Sequence, residues 1–291
     1  MNRRDMMRLL PAGAAATLMA QQSGGGNSKK SRLRTAICAY SFREQLQSKA
    51  LSYMDLVNLA VDNDVDGLDL TVYWFPSRED SFLLPLRAHA YKNAVEIYSI
   101  SVRTDMCKPA GPERDKQAAD LRKWVDVAST LGAGHIRVFG GAVPKTSSEQ
   151  EAAGWVTEML KEAGKYAGSK GILLGLENHG GVTEKADTII KIVKAVDSPW
   201  VGVNLDTGNF VRDAYTQIAQ ILPYAVNAQF KETIKDETGK SVKADWAKLV
   251  RMFRDAGYRG YFALEYEEKE SATTAVPRLT RELNQLVRKQ A

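Results

Sequence analysis

Four polar side chains each close an apolar run in the C-terminal half of this chain: Glu177 in ILLGLE, Asp206 in WVGVNLD, Gln229 in VNAQF and Glu265 in YFALE. Further polar residues follow closely, with His179 two places past Glu177, Asn209 three past Asp206 and Lys231 two past Gln229. Any one carboxylate in such a place could equally be a helix cap or a solvated turn. Three brought into one small volume repel each other, and burying them is costly unless a cation compensates. A divalent metal supplies that compensation. The donors would be Glu177, Asp206, the amide oxygen of Gln229, and Glu265. An oxygen-only shell suits Mg²⁺ or Mn²⁺ better than Zn²⁺, whose sites are usually built on His and Cys. Zn²⁺ and Co²⁺ remain the alternatives.

Something must bring these residues together. From Leu33 onward, short β-rich runs alternate with longer helical ones, eight times. The β-rich runs are RTAICAYSF (34–42), VDGLDLTVYW (65–74), VEIYSISVR (95–103), HIRVFGG (135–141), ILLGLE (172–177), WVGVNLD (200–206), VNAQFKE (226–232) and GYFALEYE (260–267). Between them, stretches such as ERDKQAADLRKWVDVASTLGA set apolar residues along one helical face, here Leu121, Trp124, Val125, Ala128 and Leu131. Strands alternating with helices predict a parallel sheet covered by helices. Eight units over 32–291 predict one domain, an α/β protein of the closed (β/α)₈ barrel type. The competing doubly wound sheet would carry a Gly-rich loop after its first strand, and AYSFREQ has none. In a barrel the polar strand ends converge at the C-terminal face, where such folds do their chemistry.

LENHGG, NLDTGN, QFKE and LEYE, in this order and spacing, resemble the xylose-isomerase-like barrel superfamily of sugar isomerases and epimerases. The resemblance covers residues 33–290. It implies a metal site on strands 5 to 8, carried here by Glu177, Asp206, Gln229 and Glu265. It further implies proton transfer beside a carbonyl, with Glu177 removing a proton and Glu265 returning one, or the reverse. Two departures stand out. The strand-7 motif of the family is His-x-Lys and here reads Gln229-Phe230-Lys231. The strand-6 motif is Asp-x-x-His and here ends in Asn209. Gln229 can still ligate through oxygen, whereas Asn209 can hydrogen-bond a hydroxyl but cannot titrate. The zinc-dependent DNA-repair branch of this superfamily needs many His ligands, and this chain holds three His in all.

Around the carboxylates, His179, Lys231 and Asn209 are expected to face a sugar. Arg137 is either a substrate contact or a paired structural charge inside its strand. Tyr40 and Trp74, with Phe42 and Tyr73, follow strands 1 and 2 and can stack on sugar C–H faces. His135, at the start of strand 4, is expected to be structural. A lyase or hydratase of 3-keto-glycosides shares the same chemistry and is the alternative. A sugar-binding protein that kept the fold without catalysis is a third possibility, motivated by the two missing imidazoles.

Residues 1–31 read as a twin-arginine-type signal peptide and flexible linker. Arg3-Arg4 precedes a short apolar run with small residues around Ala14–Ala16, and QQSGGGNSKKS follows. The apolar run is about a dozen residues long, short of the ~20 that span a bilayer. An exported protein, periplasmic or extracellular, without stable membrane insertion is therefore expected. Residues 1–34 hold seven Lys/Arg against one Asp, a net of +6, while the whole chain is +5, so residues 35–291 sum to −1. That near-neutral remainder gives no footprint for nucleic acid. The expected partner is a small unphosphorylated carbohydrate, since no phosphate-cradling Gly-rich loop is evident. A homo-oligomer is compatible with the sequence. Cys38 and Cys107 could pair after export, though two buried thiols fit the apolar run around Cys38 better.

Overall fold

The structure, a computed structural model, describes residues 32–290. Eight parallel strands close into a barrel: β1 (Leu33–Cys38), β2 (Gly67–Thr71), β3 (Glu96–Ser101), β4 (His135–Phe139), β5 (Leu173–Glu177), β6 (Val201–Asp206), β7 (Ala225–Phe230) and β8 (Gly260–Leu264). Each strand lies beside its chain neighbours, and β8 returns to β1 with Ala263 opposite Ala36. The helices between them are α1 (Tyr53–Asp62), α2 (Asp80–Lys92), α3 (Pro112–Leu131), α4 (Glu149–Ser169), α5 (Ala186–Val196), α6 (Ala214–Ile221), α7 (Trp246–Asp255) and α8 (Ala272–Gln290). The expected (β/α)₈ barrel is thus the observed one. The leader expected over residues 1–31 lies outside the described residues.

Local chemistry sets the helix starts. Ser52 with Asp55, and Ser148 with Glu151, form reciprocal caps that satisfy free N–H groups at the first turns of α1 and α4. Six strands end earlier than the sequence pattern suggests, β1 and β2 in 3₁₀ turns. β1 stops at Cys38, where Ala39–Phe42 turns into a 3₁₀ segment, and β2 stops at Thr71 before the 3₁₀ turn Val72–Trp74. Past the barrel rim there is no neighbouring strand to pair with, and the turns lay Tyr40 and Tyr73 over the rim. A small hairpin, Thr233–Lys235 with Ser241–Lys243, follows β7. Among the described residues no helix is long and apolar enough to cross a membrane. Cys38 and Cys107 are both free, buried thiols.

The strands alternate in character. Leu68, Leu70, Ile136, Val138, Leu174, Leu176, Val203 and Leu205 belong to the large apolar core. Polar residues between or beside them, among them Asp69 and Asn204, meet others across the inside of the barrel. There the Tyr98 hydroxyl donates to Asn227 Oδ1 (3.2 Å), Asn227 Nδ2 to Asn204 Oδ1 (2.8 Å), Asn204 Nδ2 to Gln229 Oε1 (2.8 Å) and Gln229 Nε2 to Asp69 Oδ2 (3.2 Å). Buried polar groups are tolerated when each finds a partner, and this relay supplies one at every step. It leaves no room for extra atoms. On Gly175, a Cβ would lie 2.3 Å from His135 Nε2 and 3.0 Å from Asn204 Cβ. Gly175→Ala is therefore expected to destabilise the fold by about 1–3 kcal/mol through overpacking. The measurement is a lower urea midpoint at unchanged m-value, and an unshifted midpoint would mean the barrel centre can give way.

Candidate active site

Strand register places the polar ends side by side. Phe139 is opposite Glu177, Glu177 opposite Asn204, and Asp206 opposite Gln229. Glu265 follows β8 directly, and its backbone N–H donates to Phe230 O at 2.9 Å, which ties it to β7. Asn178 locks the β5 end to β6, accepting from the Asp206 N–H and donating to the Asp206 carbonyl, both at 2.8 Å.

Glu177 forms a buried ion pair, Oε2 to Arg137 Nε at 2.9 Å, and accepts from Asn209 Nδ2 at 2.9 Å. Asp206 Oδ1 accepts from the Gly208 N–H at 2.8 Å, while Oδ2 is buried without a hydrogen bond. The Lys231 ammonium lies 3.5 Å from Asp206 Oδ2 and 3.2 Å from Glu265 Oε2, and it also pairs with Glu267. Arg137 further donates to the Tyr73 hydroxyl (3.1 Å) and the Val102 carbonyl (3.3 Å), with its guanidinium 4.0 Å over Phe139.

These surroundings pull the carboxyls in different directions. Burial pushes Glu177 up to about 8 against the opposing pull of Arg137. Burial also holds Asp206 well above the carboxylate range, with Lys231 opposing it, and raises Asp69, with Arg137 opposing it. Glu265 is lowered: burial works to raise it, but Lys231 and then Arg137 outweigh that. Lys231 is held well above the usual ammonium range, since Asp206 and Glu265 outweigh its burial.

A cavity of about 170 Å³ opens above this cluster, lined by Tyr40, Tyr73, Arg137, Glu177, Lys231 and Glu265 among others. His179 and Asn209 line it too, as the sequence suggested. The His179 ring packs on Phe139 at 4.1 Å, and burial followed by Arg137 lowers its pKa, favouring the neutral imidazole. Trp74 stacks on Tyr40 at 6.0 Å and is not among the residues lining the cavity. Phe42 is buried in the apolar core and His135 inside the barrel, where its Nδ1 meets Ser99 Oγ at 2.8 Å. Of the four oxygen donors, Glu177 and Glu265 line the cavity. Asp206 and Gln229 are fully buried.

The structure adds partners that the strand-end pattern did not single out. Asp69 and Asn204 hold Gln229, Glu267 shares Lys231, and Arg103 lines the cavity with its guanidinium 4.2 Å over Tyr73. A period-2 signal existed for two of them. Asp69 sits between Leu68 and Leu70, and Asn204 between Val203 and Leu205, each a polar residue inside an apolar strand.

Residues 57–289 match the family model described as xylose isomerase-like TIM barrel. The chain belongs to that family. Solved xylose isomerase-like barrels superpose over nearly their whole length. One from Mycobacterium smegmatis in complex with magnesium gives a TM-score of 0.70 at 21% identity, covering 92% of this chain and 100% of the other. D-psicose 3-epimerase from Clostridium cellulolyticum H10, with D-tagatose, gives 0.71 at 15% identity over 88% and 99%. The probable 3-DHS dehydratase involved in petrobactin synthesis from Bacillus anthracis gives 0.64 at 17% identity over 89% and 100%. No curated protein sequence matches the chain.

Proposed function

We propose that this chain is a metal-dependent sugar isomerase or epimerase that moves a proton next to a carbonyl of an unphosphorylated sugar or sugar derivative. The observation that carries the reading is the pair of glutamates. Glu177 and Glu265 alone of the four donors line the cavity, and their surroundings shift them in opposite directions. Titratable pairs driven apart in this way divide into acid and base.

The donor set fits a hard divalent cation. Four buried carboxyls, Asp69, Glu177, Asp206 and Glu265, face only two buried cations, Arg137 and Lys231. The shortfall equals the charge of one divalent ion, and Asp206 Oδ2 is a buried oxygen with no hydrogen bond. Among the described residues, no three His, Cys, Asp or Glu side chains converge as placed. Lys231 stands between Asp206 and Glu265, and it has a further partner, Glu267, outside the donor set. Glu177, Asp206, Gln229 and Glu265 would hold the ion, Mn²⁺ or Mg²⁺ by their oxygen chemistry. A bound ion would polarise the substrate carbonyl and acidify the adjacent C–H.

The chain's own groups do the rest. Glu177 and Glu265 face the substrate together, one taking the proton from carbon and the other returning one to the opposite face. Arg137, His179 and Asn209 are placed to hold substrate oxygens. Lys231 is committed to its three carboxylates and acts as their counter-charge. The similarity to a magnesium-bound barrel and to a 3-epimerase supports this reading. The Arg3-Arg4 leader supports export, so the sugar would be met outside the cytoplasm.

The test is NMR of keto sugars in D₂O with added Mn²⁺ or Mg²⁺. Deuterium entering at carbon, without loss of water or an alcohol, is the expected result. An unsaturated or dehydrated product would instead favour the lyase or hydratase reading, which the likeness to a dehydratase supports. Saccharide binding with neither exchange nor product would leave a binding protein.

A further inference from the structure

A second cavity of about 470 Å³ lies next to the first, lined by Thr104, Asp105, Gln117, Ala142, Gly181 and Thr183 together with three shared residues. The shared residues are Arg103, Phe139 and His179, which line both spaces. The inner cavity, at about 170 Å³, is smaller than the roughly 300–1,000 Å³ of ordinary small-molecule sites. Inner and outer cavities together fall within that range.

The two spaces differ in chemistry. Carboxylates and their counter-charges dominate the inner one. The outer one is lined by Phe139, Ala142 and the glycine backbone of Gly140, Gly141 and Gly181, with Thr104, Asp105, Gln117 and Thr183 as its polar groups. That glycine floor is built for closeness. The Val182 N–H donates to Gly141 O at 3.1 Å, and a Cβ on Gly181 would lie 2.3 Å from the same oxygen. Gly141 itself has φ +103°, and a Cβ there would meet Asp105 Oδ1 at 2.1 Å. Side chains at either position would lift the floor.

Two donors, His179 and Arg103, line both cavities and stand at their boundary. The His179 imidazole rests on Phe139, and the residue's backbone N–H donates to Thr183 Oγ1 at 3.1 Å. Arg103 lies over Tyr73 and hydrogen-bonds to it, and it pairs with no carboxylate among the described residues.

We propose that the outer cavity is a subsite for a second ring, so that the substrate is a glycoside. Its reacting sugar occupies the inner cavity, and a second ring with apolar faces lies over the Gly141–Gly181 floor. Arg103 and His179 hydrogen-bond the oxygens near the linkage. This inference rests on the keto-sugar reading above.

The experiment compares the binding of three ligands to the Mn²⁺-loaded full-length protein by calorimetry. Methyl 3-keto-glucoside has the reacting ring alone, 4-nitrophenyl 3-keto-glucoside adds an aromatic ring, and 3-keto-cellobiose adds a sugar ring. At least one two-ring ligand is expected to bind ten-fold or more tightly than the methyl glycoside, and which of them does so identifies the second ring. In Ala142→Trp, which fills the outer cavity from an exposed loop, that preference is expected to fall to near one. Ala142→Leu serves if the Trp variant does not fold. Equal affinities in the native protein, or a preference that survives the substitution, would overturn the subsite and leave the inner-site reading standing. Binding of none of the three would overturn both.

Discussion

Glu265→Gln is expected to lower kcat/KM for proton exchange by roughly 10²–10⁴-fold, the range for losing a positioned general base. The fold should survive, because Lys231 keeps Asp206 and Glu267 as partners. Glu177→Gln should lose comparable activity but behave differently in a melt. It strips Arg137 of its ion partner at a site where both side chains are 3% exposed, and breaking such a pair costs about 3–5 kcal/mol. Measuring kcat/KM and Tm on both variants separates the two roles. If Glu265→Gln keeps activity within a few-fold of the native protein, the acid-base assignment is wrong.

The second large effect is a pH-dependent response to metal. Glu177 is raised from 4.5 to about 8 in the fold, so between those values the metal-free fold binds more protons than the unfolded chain. Stability then falls as pH rises through that window. Asp206 and Asp69 are raised too and act with the same sign. Glu265 is lowered and acts oppositely, contributing stability above its unfolded value and losing it toward acid. A divalent ion binds the ionised carboxylates, so its binding should release protons. At a hundred times its Kd it should add about 2.7 kcal/mol of stability. The gain in Tm with Mn²⁺ is expected to be larger at pH 8 than at pH 6, and calorimetry in buffers of different ionisation enthalpy should count the protons released. A gain that is the same at both pH values, or absent at both, would contradict the oxygen-donor site.

The barrel was legible because strands and helices alternate eight times, and Glu177, Asp206, Gln229 and Glu265 each lie within a residue of a strand's end. Their convergence followed from the fold once the barrel was inferred. Their partners were harder to foresee. Nothing in strand periodicity pairs Arg137 with Glu177, because that contact depends on side-chain reach across the rim. Lys231 could be placed on the right side of β7 by its spacing from Gln229. Its choice of three carboxylates required the shape of the loop that carries Glu267. Trp74 was drawn toward the substrate by its type, but the 3₁₀ turn at Val72–Trp74 presents Tyr73 to the cavity and stacks Trp74 on Tyr40.

The amide relay inside the barrel has one permitted direction. Asp69 accepts the Gln229 N–H, so the Gln229 oxygen must turn to Asn204, and the same logic passes on to Asn227 and Tyr98. Reversing any single amide would set donor against donor or acceptor against acceptor. Exchanging one member alone strands a buried polar group, whereas a matched exchange of several need not. These positions are therefore inherited as a set. A change at the barrel's centre must pass through coordinated replacements, which makes Gln229 difficult to exchange alone.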